Sequence, residues 1–151
     1  MNQNIAALYK IANKQERTII GLMSGTSVDG LDVALCRFTG QGMNTNVQLL
    51  AFDTITYNAA FKNHIKSVFS KRQVDLEKVC LLNAWVALQH ADIILTCLKK
   101  WNIKPEDVDL IASHGQTIYH APKLLHPDDE FGNATLQIGD GDHLAVATGI
   151  I

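Results

Sequence analysis

Ile19-Ile-Gly-Leu-Met-Ser-Gly-Thr-Ser-Val-Asp-Gly-Leu-Asp-Val-Ala-Leu-Cys-Arg-Phe38 decides the fold of this chain. Ile19, Ile20, Leu22 and Met23 form one apolar run, and Val33, Ala34, Leu35, Cys36 and Phe38 form a second. The Gly- and Asp-rich segment between them predicts a strand, a tight turn and a returning strand. The turn holds more polar chemistry than a reversal needs. Gly25 and Gly30 permit close approach of the backbone to another group. Ser24, Thr26 and Ser27 add hydroxyls, and the N–H groups of such a turn can line an anion-binding concavity. Two readings stay open on these residues alone: a phosphate cradle, or a polar hairpin tip.

Upstream, residues 1–16 form a polar leader with Ile5, Leu8 and Ile11 at helical spacing, which predicts a short, loosely held helix. Downstream, Val47–Tyr57 alternates enough to predict a third strand paired to the second. Asn58 is placed to cap a helix bearing Phe61, Ile65, Val68 and Phe69 on one side. Asp75 caps a longer helix reaching about Lys100. On it Lys78, Gln89, Asp92 and Thr96 make a narrow polar strip, with Trp85 the poor fit. A fourth strand is expected at Val108–Ala112, a polar loop at Ser113–His120, a short strand at Ala134–Ile138 and a helix from Asp140 to Thr148.

A 151-residue chain is long enough for one domain with a core. Its 47% hydrophobic and 19% charged residues are those of a globular protein. A net charge of −2 gives no electrostatic case for nucleic acid or an anionic membrane. The apolar runs look too short to span a bilayer, and no secretory signal is evident. Cys36, Cys80 and Cys97 lie within apolar segments and read as reduced core residues of a cytoplasmic protein.

Gly21-Leu-Met-Ser-Gly-Thr-Ser-Val-Asp-Gly-Leu-Asp32 resembles the nucleotide-binding signature of the anhydro-N-acetylmuramic acid kinases. Ala112-Ser-His-Gly-Gln-Thr-Ile-Tyr-His-Ala-Pro122 and Thr135-Leu-Gln-Ile-Gly-Asp-Gly-Asp-His143 resemble the same family, in the family's order. The resemblance implies an α/β, ribonuclease H-like lobe of the actin-like ATPase kind. Three antiparallel strands are extended by a parallel strand with flanking helices. It also implies a piece incomplete at its C-terminus: residues 17–151 would be part of an N-terminal lobe, with the second lobe absent.

The implied activity uses ATP, with Mg2+, and water to open 1,6-anhydro-N-acetylmuramic acid and form N-acetylmuramic acid 6-phosphate in peptidoglycan recycling. On this resemblance Ser24, Gly25, Thr26, Ser27, Asp29, Gly30 and Asp32 bind ATP phosphate. Met23 stands where related sugar kinases often carry a carboxylate, leaving Asp29 and Asp32 as the nearest acids. Either could face magnesium through water, or be an Asx-turn residue and a paired acid. His114, Gln116, Thr117, Asp140 and Gly141 are expected at the sugar. Carboxylates at a helix start are also favoured by the dipole alone. His114, His120 and His126 match no compact zinc spacing, so no metal ligand is assigned. The family's base belongs to a segment that this sequence does not contain, and no catalytic base is named. Expected partners are the small sugar and, through an unpaired strand edge, a second copy of the chain. The rival readings are a non-catalytic actin-like nucleotide-binding or assembly module and a histidine-based metallohydrolase.

Overall fold

Alternation in the leading strands settles which face is buried. The structure is a computed structural model and describes residues 3–151. Helix α1 (Gln3–Ala12) precedes strands β1 (Glu16–Ser24), β2 (Gly30–Thr39) and β3 (Asn46–Thr56). Helices α2 (Ala59–Lys66) and α3 (Leu76–Trp101) follow, then β4 (Leu110–Ala121), β5 (Ala134–Ile138) and α4 (Gly141–Thr148). The sheet order is β3-β2-β1-β4-β5. β1, β2 and β3 pair antiparallel in sequence, β4 lies parallel to β1, and β5 returns antiparallel along β4. This five-stranded mixed sheet with flanking helices is the architecture expected of an actin-like ATPase or sugar-kinase lobe.

Every second residue of the central strands points into one core: Ile20, Leu22 and Ser24 from β1, and Leu31, Val33 and Leu35 from β2. Helix α3 lies over that face. Its Leu82, Val86, His90, Ile94 and Leu98 recur every fourth position and are all buried. Side-chain caps start the helices where the sequence places them. Asn58 accepts from the Phe61 amide, Asp75 from Glu77 and Lys78, and Asp140 from His143. Asn102 and Gly149 end α3 and α4 in the left-handed conformation. Trp85, the misfit on the polar strip, stacks on Phe61 at 5.3 Å and meets His64 edge-on at 5.0 Å. Helix α2 therefore covers part of the strip that a solvent-facing α3 would expose.

Four expectations are corrected. Of the three cysteines only Cys97 is a core residue: Cys36 is half-buried and Cys80 lies on the exposed side of α3. Ser113–His120 is strand, not loop, within the twelve-residue β4. Its polar residues hide the pattern because Gln116 and Thr117 are buried. The outer edge of β4 is also only partly open. β5 pairs it from Gln116 to Ala121, and the Ile111 amide donates to the carbonyl of Ile151 at 2.7 Å. The long free edge strand is β3, which exposes Val47, Leu49, Leu50 and Phe52. Finally, α3 is long and apolar enough by length and composition to cross a membrane. The sequence reading missed this because Gln89, Asp92 and Thr96 interrupt the run, yet the helix is the core helix of the sheet.

Helix α1 sits apart from this core, with Ile5, Leu8 and Tyr9 exposed. Arg17 holds its end, donating from Nε to Ile11 and from Nη2 to Ala12 at 2.9 and 2.7 Å. A cation is favoured at that end of a helix.

Candidate functional site

The β1–β2 turn is tight because its residues bond one another. The Val28 amide donates to the Gly25 carbonyl at 3.3 Å, and Ser27 Oγ donates to Asp29 Oδ1 at 2.7 Å. Val28 sits at φ 53 with its side chain 4% exposed. A β-branched residue in the left-handed region costs of order 1–3 kcal/mol, which its burial in the core offsets. Strain held this way makes a turn of one shape.

Beside the turn is an open cleft of about 430 Å³, lined by Met23, Gly25, Ser27, Asp29, Gly30, Asp32, Thr54 and Thr56. Its polar lining is hydroxyls and two carboxylates. The Ser27 hydroxyl holds the Asp29 carboxyl below its ordinary range, so it is ionised at neutral pH. Asp32 accepts from Thr54 Oγ1 at 2.6 Å across the β2–β3 ladder. Thr26 is exposed beside them. The two glycines do different work. A Cβ on Gly25 meets only Ser27 Oγ, at 3.8 Å, whereas one on Gly30 would lie 2.7 Å from the Ile55 carbonyl oxygen. Gly30 is small because β3 passes over it. Gly25 leaves its approach open.

The sugar-side residues divide. Ser24, Gln116 and Ile138 lie in one row across β1, β4 and β5, so the three motif segments meet there within about 10 Å. A bulge sets that row: Met23 alone faces His114 and Gly115, and Gly115 takes φ +71. His114 is exposed at the bulge. Gln116 and Thr117 are 0% and 2% exposed, and Ser24 is 0% exposed. Ser24 and Gln116 face the core under α3, and Thr117, the next residue along the strand, is buried on the other face of the sheet. Asp140 caps α4, and the His143 amide and ring hold its carboxyl below the ordinary range. Gly141 opens that helix with nothing near its absent side chain. Asn83 of α3 fixes the approach, accepting from the Gly139 amide through Oδ1 and from the Asp140 amide through its carbonyl, at 2.8 and 3.0 Å.

Two residues that the sequence reading passed over complete the buried side of the site. Tyr57 reaches Ser24 at 2.7 Å and His90 at 2.9 Å. Burial pushes the Tyr57 phenol up and the His90 imidazole down to about 4. A signal existed for His90, because it interrupts the apolar stripe of α3 at an inward position.

The model of the family described as anhydro-N-acetylmuramic acid kinase matches residues 17–151. A protein of that name from Pseudoalteromonas atlantica is 61% identical over 151 residues, all of this chain and 38% of the relative. Its counterpart from Pseudoalteromonas translucida is 52% identical over 99% of this chain and 37% of its own length. One from Caldanaerobacter subterraneus is 41% identical over 95% of this chain and 36% of its own. The chain thus spans little more than a third of the relatives it matches. With the strained turn, the bulged β4 and the capped α4 all falling inside the matched region, the chain belongs to the anhydro-N-acetylmuramic acid kinase family.

Proposed function

We propose that this chain supplies the nucleotide-phosphate turn and one wall of the sugar site of an ATP-dependent kinase. Its substrate is 1,6-anhydro-N-acetylmuramic acid. The observation that carries the reading is the cleft beside the strained turn, where an ionised Asp29, Asp32 and the Ser27 hydroxyl face open space left by Gly25. That donor set suits a phosphate chain with its magnesium. Backbone amides of Gly25–Ser27 bind phosphate oxygens, while Asp29 and Asp32 hold magnesium through its waters. When bound, magnesium neutralises charge on the transferring phosphoryl group. Gly30 serves this site by letting β3 close over the turn.

His114, Asp140 and Gly141 are placed for the sugar, at the bulge and at the start of α4. Gln116 and Thr117, buried on the two faces of β4, support that wall from within the sheet. The reaction adds water across the anhydro bridge and phosphorylates the freed 6-oxygen, and the water-activating base is left unassigned. The setting that fits this chemistry is the cytoplasm, in peptidoglycan recycling. Self-association fits the free β3 edge better than the partly covered edge of β4.

Titration of the isotope-labelled chain with MgADP tests the phosphate turn. Amide shifts concentrated at Gly25–Asp32, lost in Gly25→Val with the fold intact, are the expected result. Shifts that avoid this turn would sink the assignment.

A further inference from the structure

The polar side chains under α3 form one continuous hydrogen-bond chain, and its direction follows donor by donor. Gln116 has one amide atom 3.1 Å from the Gly25 carbonyl oxygen and 3.0 Å from that of Thr117. Carbonyls only accept, so this atom is Nε2 and the amide oxygen faces Ser24. Oε1 in turn only accepts, so Ser24 Oγ donates to it over 2.6 Å. That spends the one hydroxyl proton of Ser24. Its 2.7 Å contact with Tyr57 is then donated by the phenol. With the phenol proton spent as well, the 2.9 Å contact with His90 is donated by Nε2–H. The whole chain runs one way, from His90 through Tyr57 and Ser24 to Gln116.

At its far end is the carbonyl of Gly25, a residue that lines the cleft. In a trans peptide the C=O and the next N–H lie in one plane and point in opposite directions. Holding the Gly25 carbonyl inward on Gln116 therefore turns the Thr26 N–H outward. We propose that His90 is a positioning residue of this turn: its Nε2–H sets the one-way chain that keeps the Thr26 N–H aimed at an anionic phosphate oxygen. This rests on the reading of Ser24–Gly30 as a phosphate turn. No atom of His90 needs to touch the ligand.

The test uses the 151-residue chain with two kinds of variant. His90→Leu and Tyr57→Phe each break the chain at a different link, while His90→Gln keeps an N–H donor at the same place. Nitrogen-15 spectra should show the imidazole of His90 protonated at Nε2 alone. In His90→Leu and Tyr57→Phe, exchange of the Val28 amide, bonded to the Gly25 carbonyl, should rise at least about tenfold relative to that of Ile20 in β1. The Thr26 response to MgADP should weaken in parallel, and His90→Gln should restore both. An Nδ1–H tautomer would overturn the proposal, as would equal exchange increases at Val28 and Ile20. If Thr26 responds to MgADP equally in all variants, the phosphate turn stands and the role of His90 falls. If Thr26 never responds while Val28 still depends on His90, the phosphate reading falls and takes the proposed role with it.

Discussion

Single residues carry the sharpest predictions, because neighbouring glycines and buried rings differ in what surrounds them. Gly30→Ala forces a methyl against the Ile55 carbonyl, a backbone atom that cannot swing aside. A loss of about 1–3 kcal/mol is expected in urea unfolding. Gly25→Ala, with only Ser27 Oγ nearby, should change stability by less than about 1 kcal/mol. Equal losses at the two sites would contradict the packing. His90 makes a pH prediction. Its folded pKa is depressed to about 4, with burial the resolved cause. The unfolded chain therefore binds the extra proton first, and stability falls as pH drops from about 6.5 towards 4. The single-site contribution is about 3 kcal/mol across that window. His90→Gln should remove that part of the slope in acid-titrated urea unfolding, leaving what the carboxylates contribute. At this scale the sequence was legible where a side chain acts locally. Asn58, Asp75 and Asp140 cap helices within three residues of themselves. Gln116 was not legible, because a glutamine amid polar neighbours looks solvent-facing until β4 is laid beside Ser24, ninety-two positions earlier in the chain.

Among the elements, the β1–β2 hairpin could be read from its two apolar runs and α3 from its cap and stripe. β4 could be read only at its start, up to Ala112, since a bulge and a left-handed Gly115 break the alternation beyond it. The Asn83 contact predicts how the β5–α4 junction behaves. Asn83→Ala removes the acceptor of the Gly139 amide and should raise exchange at Gly139 and through the first turn of α4. Exchange in β1 should stay the same. If α4 is as protected as before, the junction is held by something else. The β3 edge predicts association. Leu49→Lys places a charge on an exposed position of the free strand, and should lower the apparent mass of any self-associated form in light scattering. An unchanged mass would move that contact elsewhere.

For the whole molecule, the candidate site is a wall and not an enclosure. The cleft is open, and phosphoryl transfer to a water-opened sugar requires closure that excludes bulk water. The expected outcome is that the 151-residue chain binds MgADP weakly and phosphorylates no anhydro-sugar in a coupled assay. Measured turnover by this chain would overturn the division of labour proposed for it.

The row of Ser24, Gln116 and Ile138 has a consequence for how the chain is made. Ser24 leaves the ribosome ninety-two residues before Gln116. At synthesis rates of about 5–20 residues per second, that gap lasts roughly 5–20 s. For most of it, once β3 has emerged, the β1–β2–β3 meander has one side of β1 uncovered, with its amides and carbonyls waiting for β4. A nascent chain halted before residue 110 should therefore be the form that chaperones hold longest, and the phosphate turn should be the last part of the hairpin to become rigid.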